Sequence, residues 1–564
     1  MSAHSAESGF TAQGPIVGVP RRPVWGREVV TEEVRGRPSP VYRDRRRSVA
    51  ELLLDSRRWP DRIHLVQSRH RLTFAEHEQT VVRVAAWLRD QGIGPGDRVM
   101  LLARNRLELG VCYWACHLLG AVVVLGNAWW SVPEASALIE KIAPQLVITD
   151  QATADRVPGG VPSAGLDEVT PLLDGGPAPE FPLPCLDEDA PALVLFTSGS
   201  TGTPKGTVLS QRSVVNNLQN LLGRSRRLPT DLPEDHPSTV SLMTVPLFHL
   251  AGIQVLMSPL LTGGRLVYQP GRFDAGEVLR LIEQERVQTW GAVPAMVVRV
   301  LEHADFARHD TSSLRSIGLG GSAAPAGFNE RVREAFPDLK GGGANSLYGM
   351  TETGGLLAMG TAKELAARPG SVGRLMPVAQ IRIANPDEDG VGEILARSPG
   401  LMSGFLPEEE SPVDADGWLH TGDLGRLDDD GHLYLSGRSK DIIIRGGENI
   451  ASARVEEALV ALPAVVEAAA LPLPHPELGE QVGAVVVIRN GATVTAEDLR
   501  SQVSGDLARF QVPTRWWIRT ELLPTNPQGK VRKAELLATW QKAGDIDIVD
   551  AAPESTELSP EVAS

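Results

Sequence analysis

Residues 193–208 read LVLFTSGSTGTPKGTV. Leu193 to Thr197 is a short, mostly apolar run of the kind that forms a buried strand. Close behind it come three glycines (Gly199, Gly202, Gly206), four hydroxyls (Ser198, Ser200, Thr201, Thr203), Pro204 and Lys205. Glycines let backbone N–H groups approach a ligand closely. Hydroxyls and N–H groups donate to phosphate oxygens, and one lysine adds a point charge. The composition is that of a polyphosphate cradle. It is not a Walker A loop, because the lysine sits in Pro-Lys-Gly and not in Gly-Lys-Ser/Thr.

The totals narrow the class. A chain of 564 residues exceeds one hydrophobic core, so two or three domains are expected. The net charge of −15 argues against a general nucleic-acid or anionic-membrane surface. It leaves room for ATP and CoA, which need only local positive charge. Cys112, Cys116 and Cys185 cannot make a disulfide framework or a zinc site, and they fit a reducing, cytoplasmic compartment. Eight lysines stand against 47 arginines, and three of the eight, Lys205, Lys440 and Lys530, fall in motifs. A retained lysine suits a compact, swinging charge.

Residues 1–47 read as a tail or an arm laid on the first domain: nine arginines, five acids, scattered Pro and Gly, no sustained period. Nothing in it resembles a secretory signal. Ser48–Trp59 has helical spacing with Ser48 as N-cap. Arg71-Leu72-Thr73-Phe74-Ala75-Glu76 is expected to open a helix that runs to about Gln91, and a buried strand is expected at Arg98–Leu102. The 17-residue apolar run 114–130 is too short and too polar at His117 and Asn127 to span a membrane. It is expected to be a buried helix and a strand, with Trp129 and Trp130 in the core. Another helix is expected at Ser213–Leu222 and a strand at Ser241–Val245. Gly318-x-Gly320-x-x-Ala323 mimics a dinucleotide fingerprint but lacks a convincing βαβ unit, so a dehydrogenase is the weakest reading.

Thr197-Ser198-Gly199-Ser200-Thr201-Gly202-Thr203-Pro204-Lys205-Gly206 resembles the AMP-binding signature of the adenylate-forming superfamily: acyl-CoA ligases, peptide-synthetase adenylation domains and luciferases. Further matches run from about residue 49 to about 537. Pro246-Leu247-Phe248-His249 is similar to the family's aromatic–histidine corner, which implies that His249 borders the carboxylate channel. No aspartate follows to hold an α-amino group, so the acid is expected to lack one. Gly320, Gly321 and Ser322 match the strand end that lines the acyl pocket and adenine site. Tyr348-Gly349-Met350-Thr351-Glu352 implies that Tyr348 stacks on adenine, Thr351 touches the α-phosphate and Glu352 coordinates Mg²⁺. A carboxylate beside a hydroxyl suits a metal that bridges phosphates. Asp423, in Trp418-Leu419-His420-Thr421-Gly422-Asp423, matches the ribose-diol aspartate. Arg438 matches the ribose–phosphate arginine, Lys440 the hinge, and Gly446-Gly447 the pantetheine tunnel. Lys530, in Pro524–Lys533, matches the catalytic lysine of adenylation.

Three departures are visible. Ala451-Ser452-Ala453-Arg454-Val455-Glu456 replaces the family's Tyr/Ser-Pro-x-Glu-Val-Glu. Gln511 stands where lysine is common, and Gln211 where histidine is common. The resemblance implies an α/β fold with a large N-terminal domain of sheets packed with helices, including a β-rich subdomain from Gly392. A small, mobile α+β C-terminal lid completes it. The expected boundaries are an arm at 1–47, the AMP-binding domain at 48–437, the lid at 438–543 and a disordered acidic tail at 544–564. The implied activity is an ATP- and Mg²⁺-dependent acyl-CoA ligase (AMP-forming acid–thiol ligase) of fatty acid or secondary metabolism. It activates a hydrophobic or bulky carboxylic acid and transfers it to coenzyme A. The alternatives are an enzyme of one half-reaction, a carrier-protein-loading ligase and a non-catalytic nucleotide-binding protein. The expected partners are small molecules, with no nucleic acid and no transmembrane segment; a homodimer is compatible with this reading.

Overall fold

The computed structural model describes residues 14–18, 24–198, 204–319, 328–339, 345–408, 410–438, 441–445, 448–476, 478–489, 491–507, 509–525, 531–543 and 548–549. Strand Arg98–Leu102 lies between Val122–Leu125 and Leu146–Thr149 and runs parallel to both. Val99 and Leu101 enter one apolar cluster, Met100 and Leu102 another. Both faces are therefore covered, which is why the sequence shows continuous apolar runs and no alternation.

Among the described residues the first sheet has seven strands. Their order is Gly404–Leu406, Pro204–Ser210, Pro191–Ser198, Val122–Leu125, Arg98–Leu102, Leu146–Thr149 and Ser163–Gly165. The second sheet runs from Gln380–Ala384 at one edge to His70–Thr73 at the other. Its centre is parallel, with Val240–Met243, Thr289–Ala292, Ser316–Leu319 and Asn345–Met350 pairing in turn. Beyond Asn345–Met350 it becomes antiparallel and takes in Leu419–Leu427 and His432–Arg438. The β-rich region that begins at Gly392 is thus continuous with this sheet. One apolar cluster joins the two sheets, drawing on Val123 and Leu193 of the first, and Leu65 and Leu266 of the second. Helices Phe74–Asp90, Leu107–Leu119, Gln211–Arg224 and Leu250–Leu261 fill the space between.

Helix Phe74–Asp90 starts with a Thr73/Glu76 capping box. Every residue of Leu107–Leu119 is buried, and Gly120 ends the helix at φ 78°. The apolar run is thus a core helix followed by strand Val122–Leu125. No helix of the described residues is long and apolar enough to cross a membrane. The tryptophans after that strand part company. Asn127 turns the chain by accepting from the Trp129 and Trp130 amides at its side chain and carbonyl, respectively. Trp130 is buried against Phe196, whereas Trp129 is 37% exposed and not in the core as expected. The expected helix at Ser48–Trp59 is a 3-10 helix, Ala50–Arg58, and Val49 takes the N-cap position. Ser48 Oγ still accepts from the Glu51 amide, at 3.4 Å.

Residues 24–47 form an ordered arm. Val29–Val34 and Arg37–Tyr42 pair as a hairpin with Val34 opposite Arg37. Arg35 (φ 50°) and Gly36 (φ 76°) make the two-residue turn. Positive φ at both central residues is the geometry of a type I′ hairpin turn. The arm's arginines pair with acids near in sequence and with Glu188 far along the chain. Arg45 pairs with Glu32 (2.6 Å) and Glu188 (2.9 Å), Arg46 with Asp55 (2.9 Å), and Arg47 with Glu188.

The C-terminal region has its own core. Val482, Ala484 and Val486 face helices Ser452–Val460 and Ala496–Val503, while Val485 and Val487 face Trp540. Ile548–Val549, within the expected acidic tail, pairs in parallel with strand Arg515–Arg519. Residues 544–547 and 550–564 lie outside the described residues.

Candidate active site

The phosphate-cradle sequence is held by two antiparallel strands. Thr197 faces Lys205 across the ladder, and Ser198 faces Pro204. Gly199, Ser200, Thr201, Gly202 and Thr203 lie outside the described residues, as does the Ser198 side chain. A second partner, Gly404–Leu406, pairs with the return strand. Gly206 permits that approach, because a Cβ there would stand 2.5 Å from the Leu406 carbonyl oxygen. The Lys205 ammonium lies 5.3 Å from the Phe405 ring centroid, so cation–π attraction helps hold it at this edge.

On the second sheet, Tyr348 and Asp423 meet. The Tyr348 hydroxyl donates to Asp423 Oδ2 at 2.9 Å. Tyr348 is on Asn345–Met350 and Asp423 on Leu419–Leu427, so the sheet brings together residues 75 apart. Asp423 also stands opposite Arg438 in the Leu419–Leu427/His432–Arg438 ladder. The Arg438 side chain lies outside the described residues. Thr421 orients the segment: its hydroxyl donates to the Ile394 carbonyl (2.7 Å) and accepts from the Asp423 amide (3.1 Å).

Thr351 and Glu352 occupy the tight turn between Asn345–Met350 and Gly355–Gly360. A bulge at Tyr348/Gly349 precedes it. Thr353 closes it, donating to the Met350 and Gly355 carbonyls at 2.8 and 2.6 Å. The Glu352 carbonyl accepts from the Met402 amide at 2.9 Å. Gly354 has φ 67°, and a Cβ there would sit 1.7 Å from the Gly400 carbonyl oxygen. The turn is therefore built directly on residues 400–402.

His249 is the N-cap of helix Leu250–Leu261. Its ring packs edge-on to Phe248 (centroids 4.6 Å), which packs edge-on to the exposed Trp129 (4.9 Å). Asn105, which the sequence did not single out, fixes this corner. Its amide donates to the Val245 carbonyl (2.8 Å), and its oxygen accepts from the Leu247 amide (2.9 Å). Asn217 was also missed. Its oxygen accepts from Gln254 Nε2 (3.0 Å) and the Leu356 amide (3.2 Å), tying helix Gln211–Arg224 to the other two motifs. Both are polar side chains with buried partners, a pattern no local spacing reveals.

Gly320, Gly321, Ser322, Lys440, Gly446, Gly447 and Lys530 lie outside the described residues. The departures are accommodated locally. Gln211 Oε1 accepts from the Val49 amide (2.9 Å). The Ser452 hydroxyl donates to the Asp441 carbonyl (2.5 Å), and Arg454 donates to the Asp506 carbonyl (2.6 Å). Three residues beyond Lys530, Lys533 pairs with Glu456 at 2.7 Å. Glu456 also accepts from the Ala470 amide at 2.9 Å. Burial raises the Glu456 pKa, and the Lys533 charge opposes that rise.

Comparison with known proteins agrees with this geometry. Residues 54–406 match the model of the AMP-binding enzyme family, and residues 454–530 match the AMP-binding enzyme C-terminal domain. A feruloyl-CoA synthase of Amycolatopsis sp is 35% identical over 484 residues, covering 82% of this chain and 93% of that protein. The 4-coumarate–CoA ligase 2 of Oryza sativa subsp. japonica is 31% identical over 511 residues, covering 83% and 87%. The o-succinylbenzoate CoA synthetase of Bacillus subtilis has been solved with its acyl-adenylate intermediate. It is 29% identical with a TM-score of 0.73, covering 86% of this chain and 97% of that one. It has also been solved with ATP and magnesium ion, at a TM-score of 0.72. The chain belongs to the AMP-binding, adenylate-forming enzyme family and is by homology an AMP-forming acid–CoA ligase.

Proposed function

We propose that this chain activates a hydrophobic or bulky carboxylic acid with MgATP and passes the acyl group to coenzyme A. The observation that carries the reading is the Tyr348–Asp423 hydrogen bond beside the Thr351–Glu352 turn. A carboxylate already oriented by a phenol is a good acceptor for a ribose diol. A single acid on a tight turn suits Mg²⁺, which takes one or two carboxylates and completes its shell with phosphates and water. Bound there through Glu352, the ion would neutralise phosphate charge.

In the first step a carboxylate oxygen attacks the α-phosphorus of ATP. The bond to the bridging oxygen breaks, and pyrophosphate leaves with the electron pair. Thr197–Lys205 would hold that leaving group, Asp423 and Arg438 the ribose, Tyr348 the adenine, and Thr351 the α-phosphate. Lys530 would balance charge between the carboxylate and the α-phosphate. In the second step the CoA sulfur attacks the acyl carbonyl. The carbon–oxygen bond to phosphate breaks, AMP leaves, and the thiol proton passes to solvent. Lys440 is assigned to the hinge between these steps, and Gly446-Gly447 to the thiol's path. The Trp129–Phe248–His249 row offers an aromatic wall for the acid. Each of the acids named in the reported relatives carries an aromatic ring.

The test is ATP–pyrophosphate exchange across a panel of carboxylic acids, with and without Lys530→Ala, beside a sample given preformed acyl-AMP and CoA. Exchange that needs Lys530, followed by CoA consumption, supports the full reaction. Conversion of acyl-AMP without exchange by any acid supports a single half-reaction instead.

A further inference from the structure

The arm lies outside the span matched by the family model, which begins at residue 54. Its hairpin tip nevertheless reaches the segment on which the Glu352 turn is built. Arg35 Nη1 donates to the Leu401 carbonyl (3.1 Å) and the Met402 carbonyl (2.8 Å). Its Nη2 donates to Ser403 Oγ (3.0 Å) and Ser210 Oγ (3.3 Å). Its Nε lies 3.7 Å from Asp189. A planar fork with five N–H donors can serve four acceptors at once, as a lysine cannot.

These acceptors are not scattered. The Met402 amide is the donor to the Glu352 carbonyl. Ser213 also donates to the Leu401 carbonyl, at 3.3 Å. The Ser403 amide donates to the Val208 carbonyl, and Ser210 ends strand Pro204–Ser210. One guanidinium thus bridges the support of the Glu352 turn and the strand that carries Lys205. The next arginine reinforces the contact: Arg37 donates to the Ala415 carbonyl at 2.6 Å. Arg35 does this from a left-handed backbone, φ 50°, which is costly for a residue with a Cβ. Such strain persists where surrounding contacts over-determine it.

We infer that Arg35 is a positioning residue for nucleotide activation, and that the arm hairpin is an integral part of the MgATP site. The inference rests on the proposed MgATP reading. Arg35 touches no reacting atom. It fixes residues 401–403, and through Met402 the height of the Thr351–Glu352 turn.

The experiment is calorimetric titration of the full-length chain with MgATP, and with ATP in EDTA, using wild type, Arg35→Ala, Arg35→Lys and Arg43→Ala. Arg43 directly follows the same hairpin and pairs only with the exposed Glu28 among the described residues, so its variant controls for lost charge. Residues that orient a metal ligand typically matter by about 10- to 100-fold, so Arg35→Ala should raise the MgATP Kd about tenfold or more. The loss should be smaller for metal-free ATP, and Arg35→Lys should be intermediate. Arg43→Ala should match wild type. Circular dichroism and a melting curve accompany each variant. If Arg35→Ala does not fold, Arg35→Lys decides alone. A variant of Arg35 that melts early but binds MgATP like wild type overturns the inference and leaves the arm a stability element. Wild type that fails to bind MgATP overturns the nucleotide reading itself, and the inference with it.

Discussion

The Tyr348 hydroxyl donates to Asp423 Oδ2 at 2.9 Å, joining two strands of one sheet across 75 residues of sequence. A bond to a charged acceptor contributes about 1.5–3 kcal/mol. Tyr348→Phe keeps the ring face but releases the carboxylate. It should raise the KM for ATP roughly tenfold, with little change in kcat, since 1.4 kcal/mol is a factor of ten. Asp423→Ala removes the acceptor altogether and should cost about 100-fold or more, because two ribose donors lose their partner. Pyrophosphate exchange at varied ATP measures both. Equal effects of the two substitutions would count against Asp423 as the diol acceptor.

Lys205 faces Thr197 across the strand pair and lies over Phe405. If its charge serves the leaving pyrophosphate, Lys205→Ala should lower the exchange rate about 10²- to 10³-fold, the usual cost of one transition-state donor. Lys205→Arg should restore only part of it, because a planar fork does not replace a compact ammonium. The cation–π contact contributes only about 0.5–1 kcal/mol, so the melting temperature should hardly move. A large loss of stability with normal exchange would reverse the assignment.

Much of this arrangement was legible in the sequence, and the missing parts share a cause. The buried parallel strands announced themselves as apolar runs, as Arg98–Leu102 does with both faces covered. Tyr348, Thr351, Glu352 and Asp423 stand out in the sequence because they sit in short local motifs, and the sheet brings Tyr348 and Asp423 into contact. The arm was harder to read. Of Val29–Val34 only Val34 is buried, so the arm's first strand has no apolar face to advertise. It is fixed instead by pairs such as Arg45 with Glu188, separated by 143 residues. Charge–charge partners at that distance leave no periodic trace. Trp129 failed for the opposite reason: an Asn127 turn sends it outward while its neighbour goes in.

Lys533 and Glu456 are each about a quarter exposed, and their ion pair ties the first residue of helix Lys533–Lys542 to helix Ser452–Val460. Lys533→Met strands a carboxylate whose pKa burial already raises. Partial exposure reduces the full cost of breaking a buried pair, leaving a destabilisation of about 1–2 kcal/mol in the C-terminal region. Hydrogen exchange should show faster opening of Val482–Val487 and no change around Tyr348. Glu456→Gln in the same chain should recover part of the loss, because the amide needs no counter-charge. Unchanged exchange in the C-terminal strands would show that the pair contributes nothing.

His64, His77 and His117 are buried in the core of the large domain. Burial lowers the His64 pKa to about 4 and that of His117 to about 3; it lowers His77 well below its ordinary value, with the nearby His64 adding to the effect. In the unfolded chain each returns to about 6.5 and takes up a proton below that pH. Between pH 6.5 and about 4 the unfolded state therefore binds more protons, so stability falls as pH falls. The stabilisation is fully present above 6.5 and is lost at about 1.4 kcal/mol per histidine per pH unit. Three such groups predict a slope of about 4 kcal/mol per unit from pH 6 to 5, before the paired carboxylates contribute. His117 packs edge-on to Tyr113 at 4.5 Å, so His117→Phe keeps a ring there while removing the titration. Urea midpoints at pH 7 should be close to wild type for this variant. At pH 5 it should be the more stable chain, by about 2 kcal/mol. A pH dependence identical to wild type would mean that His117 takes up its proton alike in both states and takes no part in acid unfolding.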